Sequence, residues 1–66
     1  MPSTVIDNID YDRARQQLRI TFTTGRIYVY ENVPVGVVQE LRSAGSRGAY
    51  FNRRIRDAYA YREVTP

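Results

Sequence analysis

Between Leu18 and Tyr30 the chain alternates apolar and polar side chains on both sides of one glycine, Gly25. An alternation with a period of two is typical of β-strands, and a glycine between two such runs is typical of a hairpin turn. The sequence therefore predicts a β-hairpin in this part of the chain.

The length of the hairpin turn decides which face of the second strand joins the core, and two registers are open. A two-residue turn of Thr24 and Gly25 pairs Ile20 with Val29 and directs both tyrosines of the second strand away from the core. A three-residue turn pairs Ile20 with Tyr28 and moves both tyrosines inward. We favour the two-residue turn. With it, the predicted core consists of Ile20, Phe22, Ile27, Val29, Val37, Leu41, Phe51 and Ile55.

Further elements are predicted on both sides of the hairpin. Evenly spaced apolar residues indicate a leading strand from Val5 to Tyr11. Pro34 suits the first turn of a helix, Gly45 is the expected left-handed stop after it, and Ser46 is placed to cap a second helix. The apolar stripes of these helices are Val37, Val38, Leu41 and Ala44, then Phe51, Ile55 and Tyr59. The tail, residues 58–64, is expected to hold a last helical turn and a short edge strand. The predicted fold class is α+β, with a three-stranded antiparallel sheet, extended by that short fourth edge strand, packed with two short helices.

Composition excludes the common catalytic solutions. The 66 residues include no histidine, cysteine or lysine, so the serines have no conventional activating partner and no zinc site or disulfide is expected. Asp10 and Asp12 lie two apart on the leading strand and can share a face, but two carboxylates rarely suffice to hold a divalent cation. We therefore expect a non-enzyme without metal or cofactor.

The length of the chain allows one domain, residues 1–66. The sequence after Met1 does not resemble a signal peptide, and the longest apolar stretch is too short to span a bilayer. We expect a cytoplasmic protein with no membrane partner.

Positive charge is concentrated in the last third of the chain. The segment from Arg42 to Arg62 contains six of the ten basic residues, all arginine, against Asp57 as its acid. The first 41 residues hold four arginines and five acids. A local excess of positive charge attracts polyanions over about 8 to 10 Å. The arginines of the second helix and the residues just after it, Arg47, Arg53, Arg54 and Arg56, are therefore the candidate nucleic-acid-binding residues.

Two smaller groups complete the candidate site. Tyr28 and Tyr30, if they face outward, form a stacking platform for single-stranded bases, whereas packing within the sheet is the alternative reading. Ser46, Arg47 and Gly48 combine the free amides of a helix N-terminus with an arginine and a glycine that lets a ligand approach closely, so they are the candidate phosphate-binding residues. A simple helix cap predicts the same residues.

An ordered series of landmarks runs through nearly the whole chain. It consists of Ile9-Asp10-Tyr11-Asp12, Leu18-x-Ile20-x-Phe22, Gly25, Tyr28-Val29-Tyr30, Val33-Pro34, Ala44-Gly45-Ser46, Gly48-x-Tyr50-Phe51-Asn52 and Ile55. Together they resemble the KTSC domain, a family named for its occurrence at the C-terminus of some lysyl-tRNA synthetases. The resemblance implies one small domain, for which RNA binding has been suggested from that synthetase context. We therefore expect a tRNA-like or single-stranded RNA as partner. The alternative is a protein-interaction or accessory module, of mobile-element origin, that binds an acidic protein.

Overall fold

A computed structural model describes residues 6–64 of the protein. Its elements are β1 (Ile6–Asp12), β2 (Gln17–Phe22), β3 (Ile27–Tyr30), α1 (Val35–Ser43), α2 (Arg47–Arg54) and β4 (Tyr61–Val64). The four strands form one antiparallel sheet in the order β1-β2-β3-β4. The predicted α+β class, the two helices and the short fourth edge strand are confirmed, and the expected start of β1 at Val5 lies outside the described residues.

The turn between β2 and β3 contains three residues, so the favoured register is wrong and the alternative is correct. Ile20 pairs with Tyr28. The amide of Gly25 donates to the carbonyl of Phe22 at 2.9 Å, and the amide of Phe22 donates to the carbonyl of Arg26, also at 2.9 Å. Gly25 has a φ of 92°, a left-handed value that glycine adopts without a Cβ clash. The loop thus includes Thr23 as well as Thr24 and Gly25, and this additional residue turns both tyrosines of β3 towards the helices.

The core lies between one face of the sheet and the two helices. It consists of Leu18, Ile20, Tyr30, Val33, Val38, Leu41, Phe51 and Ile55. Among the predicted core residues that are missing from this cluster, Phe22, Ile27 and Val37 are only half-buried. Tyr30, which the favoured register placed outside, has only 2% of its surface exposed.

Val29 is buried on the opposite face of the sheet from the helices. Its cross-strand neighbours are Arg19 on β2 and Arg62 on β4. Only 5% of Val29 is exposed, and both neighbours are arginines, a residue type whose apolar stem can cover an adjacent side chain while its charged end stays in water. Val29 is therefore buried as predicted, but for a different reason from the one the sequence suggested.

The segment that joins β3 to α1 is hydrogen-bonded to the turn end of the β1–β2 hairpin. The hydroxyl of Tyr11 donates to the carbonyl of Val33 at 2.5 Å, and the amide of Val33 donates to the carbonyl of Gln16 at 2.9 Å. Val33 itself is fully buried. These two hydrogen bonds position α1 over the sheet.

The helix ends agree with the sequence at Ser46 and differ at Gly45. The hydroxyl oxygen of Ser46 accepts a hydrogen bond from the amide of Ala49 at 3.2 Å, which confirms the predicted cap of α2. Gly45 is not the left-handed stop that we expected. The residue before it, Ala44, is the C-cap of α1 and is already extended, with φ −65° and ψ 144°. Ser46 is extended as well, so the chain passes between the helices without a left-handed residue.

Two smaller differences concern the helix boundaries. Pro34 lies one residue before α1, as its N-cap, rather than inside its first turn. Tyr59 lies beyond the end of α2 at Arg54, so it does not continue the stripe of Phe51 and Ile55, although it still packs against the core. No helix between residues 6 and 64 is long and apolar enough to cross a membrane.

Candidate nucleic-acid interface

The four candidate arginines are all exposed, but they do not converge on one point. In a helix of 3.6 residues per turn, Arg47 and Arg54 lie on the same flank of α2, two turns apart. Arg53 projects from the side opposite the buried Phe51, and Arg56 follows just after the helix. We call these four arginines the arginine surface. Its charges are spread along α2, as they would be for an extended ligand rather than for a single small anion.

None of the four guanidinium groups is neutralised within the described residues. The ion pairs there join Arg15 to Asp12 at 4.0 Å, Arg26 to Glu63 at 3.9 Å and Arg62 to Glu31 at 3.4 Å. All three pairs lie on the sheet or its turns, and none includes an arginine of α2. The positive charge of the arginine surface therefore stays uncompensated and attracts anions.

The candidate phosphate-binding corner serves as a helix cap in this structure. The hydroxyl of Ser46 is engaged with the amide of Ala49. Arg47 donates through Nη2 to the carbonyl of Arg42 at 3.4 Å, which ties its side chain to the end of α1. Gly48 is buried, so the close approach of a ligand that we expected at this glycine is not open. Phosphate binding at this corner stays a prediction.

One flank of α2 carries a carboxylate beside its arginine. The hydroxyl of Tyr50 donates to Oε1 of Glu40 at 2.7 Å, and this hydrogen bond raises the pKa of Tyr50. Arg54 acts on the same hydroxyl in the opposite direction. Glu40 thus lies near the flank of Arg54, whereas Arg56 borders a cleft on the other side of the helix.

This cleft has a volume of about 520 Å³ and opens between α2 and the helix-facing side of β3 and β4. Its lining residues are the rings of Phe22, Tyr28, Tyr30, Phe51 and Tyr61, and the polar side chains of Thr23, Thr24, Asn52, Arg56 and Asp57. We call it the aromatic cleft. Its volume lies within the range of about 300 to 1,000 Å³ that is typical of sites for small organic ligands.

Three tyrosine rings, those of Tyr28, Tyr30 and Tyr61, form a cluster at the edge of the aromatic cleft. The ring of Tyr61 lies parallel to Tyr28, with centroids 5.3 Å apart and an interplanar angle of 17°. It lies 5.2 Å from the ring of Tyr30, its partner across β3 and β4. Tyr61 is nevertheless 55% exposed, because β4 is the edge strand and no helix covers it here. The exposed ring of Tyr61 is therefore held in position by two neighbours.

The two tyrosines that the sequence singled out are not an outward-facing platform. Tyr30 is buried against Phe51, with ring centroids 5.4 Å apart, and Tyr28 is half-buried beside Phe22 at 5.6 Å. Burial raises the pKa of Tyr30 from its ordinary value of 10 to about 12, in agreement with the position of this residue in the core. The accessible ring is instead that of Tyr61.

Sequence reasoning missed Tyr61, Phe22 and Asp57 as lining residues of the cleft. The signal for Tyr61 was present in the alternation of the tail, which predicted β4 but not its pairing partner. Pairing of β4 with β3 puts Tyr61 opposite Tyr30, and only the three-residue hairpin turn puts both on the helix side.

Asp10 and Asp12 both accept hydrogen bonds from neighbouring residues, and Oδ2 of Asp10 accepts one from Nδ2 of Asn8 at 3.3 Å. Oδ1 of Asp12 accepts hydrogen bonds from the amides of Ala14 and Arg15 at 3.0 and 3.2 Å, which closes the turn after β1. Between residues 6 and 64 no three aspartates or glutamates come together as a metal-binding group. The described residues therefore offer a binding surface and a cleft.

Comparisons with known proteins identify a family and a similar fold for this chain. The family model of the KTSC domain matches residues 2–65. The fold is similar to the crystal structure of a KTSC domain protein from Yersinia pestis, with a TM-score of 0.87, 32% sequence identity, and coverage of 98% of this chain and 90% of that chain.

Relatives by sequence are of two kinds. An uncharacterised protein of Stutzerimonas stutzeri is 40% identical over 80% of this chain and 75% of its own length. Lysine–tRNA ligase of Nostoc punctiforme is 32% identical over 94% of this chain, and the ligase of Nostoc sp. is 36% identical over 83%. The chain spans only 11% and 10% of the length of these two ligases. The match of the family model over nearly the whole chain shows that the protein belongs to the KTSC domain family.

Proposed function

We propose that the protein is a non-catalytic RNA-binding domain whose arginine surface contacts the phosphates of a tRNA-like or single-stranded RNA. The observation that carries the proposal is the set of four exposed arginines that form no ion pair within residues 6–64, the last of which, Arg56, borders the aromatic cleft. Phosphate contacts need charge and reach but no enclosed pocket, and arginine makes them bidentately.

The aromatic cleft favours RNA over an acidic protein as the partner. A carboxylate-bearing partner and a phosphate-bearing partner both match the charge of the arginine surface. Unpaired bases additionally stack on aromatic side chains beside a basic groove, which is how many single-strand-binding proteins hold their ligands. Tyr61 offers such a ring next to Arg56.

The relatives supply a context that agrees with this proposal. A segment of lysine–tRNA ligase in Nostoc punctiforme is similar to nearly the whole of this chain. We propose that this chain shares an RNA-contacting role with that segment, and that it lacks catalysis because it contains no histidine, cysteine or lysine.

Fluorescence anisotropy at low salt tests the proposal. Labelled single-stranded RNA and labelled tRNA should each bind with micromolar affinity, and unlabelled RNA should displace them. Polyglutamate at the same concentration of negative charge is the control for a purely electrostatic partner and should displace RNA far less. No RNA binding at low salt, or equal competition by polyglutamate, would contradict RNA as the ligand.

A further inference from the structure

The aromatic cleft carries an inference that rests on the proposed function and specifies it. We infer that the cleft holds one unpaired guanine base of the bound RNA, stacked on Tyr61 and hydrogen-bonded to Asp57, with its phosphate at Arg56. Three features of the described residues support this inference: the exposed ring, the adjacent pair of opposite charges and the way the cleft continues the arginine surface.

The stacking surface is Tyr61. The residue is 55% exposed, and its ring makes a parallel contact with Tyr28 and a tilted contact with Tyr30. A base that stacks on an already ordered ring loses less entropy than one that must first immobilise a mobile side chain. The rings of Phe22 and Phe51 line the interior of the cleft. A flat, apolar ligand with polar edges therefore fits the cleft better than a fully polar one.

Asp57 supplies the selection among bases. It lies in the lining of the cleft, is exposed and forms no ion pair within the described residues. An ionised carboxylate only accepts hydrogen bonds, and it accepts two parallel ones from adjacent N–H groups. Guanine presents two adjacent donors, N1–H and N2–H, on its Watson–Crick edge. Adenine, cytosine and uracil have no two adjacent donors on this edge, because an acceptor lies next to each of their donors, and a carboxylate repels that acceptor.

Arg56 connects the cleft to the rest of the interface. It lines the cleft beside Asp57 and follows directly after α2, which carries the other three arginines. A base inserted next to Tyr61 thus leaves its phosphate near Arg56, and the neighbouring nucleotides continue along α2. The cleft holds both signs of charge that a nucleotide requires, whereas a simple anion has no use for Asp57.

The test uses labelled oligouridine with one central guanine, adenine or cytosine, or with no substitution, and follows anisotropy at low salt. The oligonucleotide with guanine should bind about tenfold more tightly than the others. Tyr61→Ala should weaken binding of the guanine oligonucleotide by about tenfold or more, while Tyr61→Phe, which keeps the ring, should bind like wild type.

Asp57→Asn separates recognition of the base edge from electrostatics. This change should abolish the preference for guanine, because the amide adds a donor where guanine also donates. Asp7→Asn, at an exposed position on β1, changes the net charge equally and should keep the preference. Thermal melting checks that all variants are folded.

The outcomes separate this inference from the proposed function. If the wild type binds every oligonucleotide equally, or if Tyr61→Ala and Asp57→Asn change nothing, the cleft does not hold guanine although RNA binding stands. If no RNA binds at low salt, both ideas fail. If free GMP is bound with guanine selectivity but RNA is not, the cleft is a site for a free nucleotide and the assignment to RNA is overturned.

Discussion

Replacement of Tyr30 by alanine tests the register of the hairpin, on which the whole interior depends. The structure places this ring inside the core with 2% of its surface exposed, in contact with Phe51, Tyr28 and Tyr61. In the register with a two-residue turn the same ring would face solvent, and its removal would hardly change stability. The free energy of unfolding of Tyr30→Ala therefore distinguishes the two arrangements.

The size of the effect follows from the burial of the ring. Truncation of a fully buried aromatic side chain to alanine costs about 3 to 5 kcal/mol. At about 0.05 to 0.15 kcal/mol per residue, a chain of 66 residues has a free energy of unfolding of about 3 to 10 kcal/mol. Tyr30→Ala should consequently remove a large part of the stability of this domain or all of it.

Urea denaturation followed by far-ultraviolet circular dichroism measures this loss. With a slope of about 1 kcal/mol per molar urea, the midpoint of Tyr30→Ala should fall by about 3 M or more. Tyr28→Ala, at a half-buried ring on the same face, is the matched control and should lose roughly half as much. A loss below about 1 kcal/mol for Tyr30→Ala, or one no larger than that of Tyr28→Ala, would refute the observed register.

Three further predictions follow from single groups. Tyr11→Phe removes the hydroxyl that donates to the buried carbonyl of Val33, so chemical denaturation should show a loss of about 1 to 3 kcal/mol, and an unchanged midpoint would exclude a stabilising role for this hydrogen bond. Ser46→Ala removes the cap of α2 and should cost about 0.5 to 2 kcal/mol in the same assay, whereas Ser46→Gly should cost only a few tenths, and equal losses would contradict the cap. Because burial raises the pKa of Tyr30 to about 12 in the folded state, the unfolded chain loses this proton first, so the melting temperature should fall as the pH rises from 10 to 12; Tyr30→Phe should show a weaker fall, and an identical pH dependence would contradict the assignment to this residue.

Much of the fold could be predicted from the sequence because its signals are local. Alternation indicated the strands, and a side chain able to accept a hydrogen bond at Ser46 fixed the start of α2. The hairpin register, in contrast, was not determined by the local sequence. Thr24 and Gly25 suit both a two-residue turn and a three-residue turn, and the difference of one residue exchanges the two faces of β3 while Ile20 of β2 stays in the core.

Gly45 and Val29 show why local rules also gave errors of detail. Gly45 stands where a left-handed stop is common, but the extended Ala44 directs the chain straight into the cap of the next helix. Val29 is buried between arginines on the two neighbouring strands, and this arrangement depends on strand pairing that the sequence does not specify.

In the candidate site, the arginine surface could be predicted from the sequence and the aromatic cleft could not. The exposure of the arginines was predictable, because helical spacing alone places Arg47, Arg53 and Arg54 on the polar side of α2, and Arg56 follows the helix. The aromatic cleft required the hairpin register, the pairing of β4 with β3 and the position of α2 at the same time. Tyr61 and Asp57 are distant from Phe22 in sequence and meet it only in the folded domain.

The salt dependence of RNA binding tests the proposed role of the arginine surface most directly. Each phosphate neutralised on a single strand contributes about 0.7 to the slope of log affinity against log salt, so four arginines predict a slope near three. Arg53→Gln combined with Arg54→Gln should lower that slope by between about one and two units while stability stays within about 1 kcal/mol. The control, Arg13→Gln combined with Arg15→Gln in the β1–β2 turn, removes the same charge and should leave the slope near three. Equal slopes for the wild type and the α2 variant, or an equal reduction by the control, would contradict phosphate binding by the arginine surface.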